Sequence, residues 1–173
     1  IASGLGVGLG SQSMRTLKYW IAVGFGSGLS PKAPGTTGTL GVLPLVVFAW
    51  DAPLVVWIAG FVVLCGMAMW SIQAAGEILG APDHGQIVID EWAGMWVAGY
   101  ALASLTPWAW PLGLLVAFVG FRFFDIVKPW PVSWCEQHIA GPLGVLADDI
   151  AAGLYVLLLT LVFAMMAGFL GTL

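Results

Sequence analysis

Apolar residues along this chain come in long runs, broken by short polar clusters rich in Gly and Pro. The runs lack strict alternation, so strands are not expected; a barrel would need many amphipathic segments of about ten residues. Residues 53–75 form a run long enough to span a bilayer, whose hydrocarbon core takes about 20 helical residues. Residues 87–104, 111–127 and 147–171 predict three more long apolar helices. Residues 40–50 predict a further helix, short or re-entrant, ended by the turn Asp51-Ala52-Pro53. Tyr19–Val23 is a short apolar piece suited to the interface. The connections are a structured loop over 24–39 (GFGSGLSPKAPGTTGT), a polar stretch over 76–86 with the turn Pro82-Asp83-His84-Gly85, a tight link over Thr106–Pro111, and a mixed loop over 130–146. Lys128-Pro129 ends the helix at 127, because a residue before Pro is pushed out of the α region. The expected fold is all-α: a polytopic membrane bundle of about five helices, one domain over 19–173 behind a flexible tail over 1–18.

Composition supports the membrane reading. The chain is 60% hydrophobic and 8% charged, where a soluble domain has roughly a quarter of its residues charged. Ten Trp fit anchoring at the two interfaces. The net charge of −4 is mild, and no basic stretch would suit nucleic acid. Residues 1–13 (IASGLGVGLGSQS) are Gly/Ser-rich and expected to be flexible, with Met14 the expected native start. Arg15 and Lys18 precede an apolar stretch as in a signal peptide, but Gly24, Gly26 and Gly28 interrupt it, which rules against a cleaved signal. Cys65 lies within an apolar run and reads as a small hydrophobe. Cys135 has no Arg six positions on, so no Cys-x5-Arg phosphatase loop exists.

Orientation follows from the basic residues. With Arg15, Lys18 and Lys32 in the cytoplasm, as the positive-inside rule prefers, every Lys and Arg falls near the inner face. Eight of the nine acids then gather on the same side, Asp51 alone lying outside. The acids sit at helix ends, which points to a site at the inner interface.

VIDEWAGMWV, residues 88–97, places Asp90 and Glu91 inside an otherwise apolar run. Near a helix start they cost less than at mid-bilayer, because helix N-termini favour negative charge. They could be no more than a water-reaching pair. Against that, Asp83, Asp125, Asp148 and Asp149 sit at neighbouring helix ends. A cation is the simplest way to hold mutually repelling carboxylates together, and oxygen-only ligands suit Mg²⁺. Gly94 and Gly153, each one turn beyond an acid, would let a backbone or ligand approach closely. Arg122, Asp125 and Lys128 are spaced three apart and expected on one helix face, either as an interfacial ion-pair set or as a clamp on phosphate. Asp148 and Asp149 are expected to open the last helix; one of them could be a capping acid. The loop Ser30–Thr39, with Lys32, Thr36 and Thr37, leads into a helix, an arrangement that suits an anion. Thr39 reads equally well as an ordinary N-cap. A hydrogen-bonding role is expected for His84, not ligation.

Four blocks in order, GFGSGLSPKAPGTTGTLG (24–41), DHGQIVIDEWAGMW (83–96), FRFFDIVKPWP (121–131) and GPLGVLADDIAAG (141–153), resemble the phosphatidylglycerophosphatase A family of bacterial membrane enzymes. The resemblance implies a Mg²⁺-dependent phosphatase of the bacterial inner membrane, with its site facing the cytoplasm, that converts phosphatidylglycerophosphate to phosphatidylglycerol and phosphate. It carries over to Thr36, Asp83, Asp90, Glu91, Arg122, Asp125, Lys128, Asp148 and Asp149. Asp83, Asp90, Glu91, Asp125, Asp148 and Asp149 are then the candidate metal ligands, and Arg122 and Lys128 the phosphate binders, with Lys32, Thr36 and Thr37 as further contacts. Asp90, Glu91, Asp149, Arg122 and Lys128 form the candidate catalytic set. Direct attack by water is favoured, since no Asp-x-Asp nucleophile motif occurs. The rival readings are a cation or proton transporter using the acids as its path, which predicts carboxylates at mid-membrane depth, and a non-catalytic lipid-binding subunit, which would not need six acids. Oligomeric state stays open.

Overall fold

The computed structural model describes residues 5–81, 83–105 and 110–170, and all its regular elements are helical. They are α1 (Leu5–Ala22), 3-10 turns over Gly24–Leu29, α2 (Pro34–Phe48), α3 (Leu54–Leu79), α4 (Ile89–Leu105), α5 (Trp110–Val127), α6 (Val132–His138) and α7 (Pro142–Leu170). The five expected helices correspond to α2, α3, α4, α5 and α7. Pro82 and residues 106–109, parts of two predicted connections, lie outside the described residues.

Three helices, α3, α5 and α7 over Pro142–Ala167, are long and apolar enough to cross a bilayer. Each turns large apolar side chains outward: Val55 and Val62 from α3, Leu112 and Ile126 from α5, Leu158 and Phe163 from α7. That is the surface a lipid-facing helix presents, since in hydrocarbon outward apolar groups cost nothing.

The helix α4 is the exception and the centre of the bundle. Ile89–Trp96 is buried without a break, and α2, α3, α5 and α7 all pack on it. A helix covered on every side is a bundle core. Its indoles are satisfied inside: Trp92 Nε1 donates to the Gly38 carbonyl at 2.9 Å and Trp96 Nε1 to the Trp57 carbonyl at 2.8 Å. Trp57, Trp92 and Trp96 therefore serve the core, whereas Trp20, Trp110, Trp130 and Trp134 are exposed as interfacial anchors would be. The expectation of interfacial Trp fails for Trp57, Trp92 and Trp96, which are buried. Sequence alone did not distinguish them, because both roles want a large ring with one polar atom.

Glycine permits the closest approach. A Cβ on Gly94 would run into the Asp149 carbonyl and the Phe121 ring, and one on Gly153 into the Gly94 carbonyl and, at 3.1 Å, Val97. The α4 and α7 backbones thus touch, with residue numbers rising in the same direction along both.

The boundaries differ from expectation in five places. Helix α3 runs on to Leu79, four residues into the stretch expected as a polar connection. Residues 5–18, expected as part of a flexible tail, are helical. Packing on α3 offsets the poor helix propensity of their glycines: Arg15 pairs with Glu77 at 3.6 Å and the Lys18 ammonium lies 5.0 Å from the Trp70 ring centre. Helix α2 starts at Pro34 and not at residue 40. Proline suits a first helical position because its φ is preset and it has no N–H to lose. With 15 residues, α2 is about 22 Å long, short of the roughly 30 Å hydrocarbon core. A short helix, α6, lies within the expected loop over 130–146. Helix α7 starts at Pro142, so Asp148 and Asp149 stand in its second turn and neither caps it.

The α4–α7 contact predicts a pair of opposite outcomes. Gly153→Val should destabilise the protein by about 1–3 kcal/mol through overpacking. Gly66→Ala, at a position with nothing within 4 Å, should be neutral or slightly stabilising. Thermal unfolding in detergent reads both. Equal melting shifts would show that the close approach of α4 and α7 does not matter.

Candidate active site

Four acids are buried at one end of this bundle. Asp90 and Glu91 lie in the first turn of α4, and Asp148 and Asp149 in the second turn of α7. Asp90 is 4% exposed and Asp149 5%. The backbone contact at Gly94 sets these two helix segments side by side. Asp149 lies within electrostatic reach of Asp90, Asp125, Glu91 and Asp148, and Asp90 within reach of Asp83 and Asp148. Asp90 Oδ1 accepts the Glu91 N–H and Asp148 Oδ1 the Asp149 N–H, both at 3.0 Å. Asp149 Oδ1 is buried with no hydrogen-bond partner among the described residues.

Two cations reach this cluster from different directions. Arg122, from α5, meets Asp125 one turn on at 2.6 Å and Glu91 at 3.1 Å. Thr39, fully buried on α2, donates its hydroxyl to Glu91 Oε2 at 2.6 Å, with the Gly35 carbonyl also within reach at 2.9 Å. Arg122 Nη1 stands 3.5 Å from the same hydroxyl. Gly35 leaves room for this junction, since a Cβ there would meet Glu91 and Arg122 at once.

Lys128 is placed otherwise than its three-residue spacing suggests. Helix α5 ends at Val127, and Lys128 turns left-handed (φ 46°) ahead of Pro129, so it leaves the face that carries Arg122 and Asp125. Its ammonium meets Glu136 of α6 at 2.7 Å and Asp148 at 2.8 Å. Partial burial works against this charge. The hydrogen bonds and negative charges of Asp148 and Glu136 outweigh it and raise the pKa above the usual lysine range, so Lys128 stays protonated at any physiological pH.

The remaining candidates are more dispersed. Asp83 is exposed and lines a cavity of about 210 Å³ with Glu136, Gly144 and Asp148. Thr36 is half-buried in the first turn of α2. Thr37 spends its hydroxyl on the Ala33 and Pro34 carbonyls at 3.0 and 3.1 Å. Lys32 is exposed and makes no ion pair among the described residues. His84 Nδ1 accepts the Gln86 N–H at 3.2 Å, the hydrogen-bonding role expected for it. Thr39 is no N-cap, because α2 begins five residues before it. Sequence reasoning left Thr39, Gly35 and Glu136 out of the site. A hydroxyl and a small residue just ahead of an apolar run were the available signals for the first two; Glu136 gave none, since its contact depends on how α6 folds back.

The donor set suits a hard divalent cation. Every candidate ligand is a carboxylate oxygen, and the orphaned Asp149 Oδ1 is a buried acceptor in want of a partner. Among the described residues no three such side chains converge as a ready-made ligand cage. Mg²⁺ does not require one, as it usually keeps waters and takes one or two carboxylates together with substrate phosphate.

Over 138 residues, 78% of this chain and 76% of the relative, the chain is 39% identical to phosphatidylglycerophosphatase A of Escherichia coli K12. It is 38% identical to phosphatidylglycerophosphatase A of Haemophilus influenzae over 143 residues, 79% of this chain and 82% of the relative. A Bacteroides thetaiotaomicron protein with the provisional name phosphatidylinositol-3-phosphatase is 36% identical over 150 residues, 80% and 88% of the two chains. No solved structure matches. The sequence model of phosphatidylglycerophosphatase A matches residues 20–164, and on that extent of match the chain belongs to the phosphatidylglycerophosphatase A family of phosphatases.

Proposed function

We propose that this phosphatase removes the terminal phosphate of phosphatidylglycerophosphate, with Mg²⁺ at the buried acids, on the cytoplasmic side of a bacterial inner membrane. One observation carries the reading: Asp90 and Asp149 are buried together and neither has a Lys or Arg partner among the described residues. Arg122 is taken up by Glu91 and Asp125, Lys128 by Asp148 and Glu136. Two buried carboxylates without a counter-charge are costly, and a divalent cation would supply that charge. The family membership supports the substrate, and the positive-inside orientation supports the side of the membrane.

Asp90 and Asp149 would hold the metal, with Asp148 and Asp83 at its edge. When bound, Mg²⁺ supplies charge neutralisation for the phosphoryl oxygens and for the attacking water. Arg122 offers its planar fork to the phosphate. The first turn of α2 lies beside Arg122 at Gly35 and has no side-chain cap, so its Gly35 and Thr36 amides are available to phosphate oxygens. Lys128 would add a point charge by exchanging one of its carboxylate partners for the substrate. A water oxygen bonds to phosphorus and gives up a proton, the phosphorus–oxygen bond to glycerol breaks, and the departing glycerol oxygen takes up a proton in its place. The transporter reading finds no support, because no acid of the described helices lies at mid-length in α3, α4, α5 or α7.

Purified protein with phosphatidylglycerophosphate and Mg²⁺ should release phosphate, and a chelator should abolish release until Mg²⁺ is restored. Asp90→Asn and Asp149→Asn should each lower kcat by about a hundredfold or more, a loss on the scale of removing positioned acid–base or charge-stabilising groups. Full activity in chelator would sink the metal, and full activity in both variants the site.

Thr39 supplies a finer test. Thr39→Val keeps the shape and removes the hydroxyl that holds Glu91, leaving a buried acceptor short of a hydrogen bond. That costs on the order of 1–3 kcal/mol, a fall in kcat/KM of roughly 5- to 150-fold. Thr39→Ser should keep most of the activity. If Val and Ser behave alike, the hydroxyl plays no part.

A further inference from the structure

The chain has five Lys and Arg residues. Arg122 and Lys128 belong to the acid cluster and Lys32 stands alone on the surface. Arg15 and Lys18, one turn apart on α1, converge on a pocket of about 560 Å³ against the last third of α3, also lined by Met69, Trp70, Gln73 and Glu77. Glu77 is the single acid there, 3.6 Å from Arg15, with both side chains more than half exposed. Lys18 meets no carboxylate among the described residues; its ammonium lies over the Trp70 ring at 5.0 Å. Two cations against one carboxylate leave the pocket with one uncompensated positive charge, on a chain whose net charge is −4.

We propose that this pocket between α1 and α3 binds the headgroup phosphate of an anionic phospholipid, at a place separate from the acid cluster. The depth is suitable: the pocket lies where α3 passes from an apolar run to Gln73 and Glu77, a few residues before its end at Leu79, as expected at a headgroup interface. The donors are suitable too. A guanidinium, an ammonium and the Gln73 amide match phosphodiester oxygens, while Met69 and Trp70 give apolar contact to the glycerol region. Exposed Trp20 and Leu17 on α1 keep that helix at the same level. Two basic side chains at a membrane surface together strengthen the hold on anionic lipid by roughly thirtyfold.

The test measures binding, not turnover, so it stands apart from the outcome for the proposed reaction. The protein in neutral detergent is titrated with phosphatidylserine, an anionic lipid that is neither substrate nor product of the proposed reaction, with phosphatidylcholine and with inorganic phosphate, and bound lipid is counted by native mass spectrometry. The Arg15→Gln/Lys18→Gln double variant should bind phosphatidylserine roughly thirtyfold more weakly and phosphatidylcholine unchanged. Glu77→Gln, which removes the opposing charge, should bind phosphatidylserine more tightly. Lys18→Arg should behave as wild type. The proposal is overturned if the double variant retains phosphatidylserine, or if Glu77→Gln weakens binding, since the Arg15–Glu77 pair would then be only a strut for α1. Displacement of the lipid by millimolar inorganic phosphate would also overturn it, by showing a site for free anions.

Discussion

The contact between the α4 and α7 backbones is the constraint from which the rest of the molecule follows. Lipid tails give apolar helices no reason to prefer one another, so close packing through small residues has to supply it. Gly94 and Gly153 do so here: each faces the backbone of the other helix with no side chain between. The consequence is electrostatic. Parallel helices in this register bring the acid pair near the start of α4 beside the acid pair in α7. In lipid, one such carboxylate would cost about 2.5–3.5 kcal/mol at mid-bilayer. Inside the bundle it escapes the lipid but still loses water, and it then depends on whatever the neighbouring helices provide.

They provide little, and unevenly. Arg122 and Lys128 each stand between two acids, Glu91 with Asp125 and Asp148 with Glu136. These pairings join α4 to α5 and the α5–α6 turn to α7, so the cations that would bind phosphate also hold the bundle end together. Asp90 and Asp149 are left over. A purely structural end would have replaced them with apolar residues, which often do as well as a buried ion pair. Their presence beside the α4–α7 backbone contact makes sense if they serve something that arrives later.

Much of this was legible in the sequence because the membrane imposes simple rules on it. Runs of twenty apolar residues gave α3, α5 and α7, and acids inside apolar runs gave the site. The glycines one turn beyond those acids gave the close contact. What stayed hidden was set by tertiary packing. Residues 5–18 are poor in helix formers, yet Arg15 and Lys18 attach them to α3. The start of α7 at Pro142 extends a helix into what read as a loop. Lys128 kept its place in sequence but lost its place on the helix face, because a single left-handed residue before Pro129 redirects the side chain toward α6. No periodicity argument anticipates that, since it assumes the helix continues.

The adjacent pair Asp90-Glu91 shows what the structure adds. Neighbours on a helix are separated by about 100° around its axis, so two acids in sequence cannot both face the same partner helix. Glu91 turns toward α2 and α5, where Thr39 and Arg122 hold it. Asp90 remains within reach of Asp83, Asp148 and Asp149 and has no cation of its own. The adjacency therefore divides the work. Glu91 fixes Arg122 at the mouth of α2, where a phosphate would arrive, while Asp90 faces α7, where a counter-charge is missing. On the proposed reading, removing either carboxylate would spoil a different half of the same site: the phosphate clamp in one case, the place for a cation in the other.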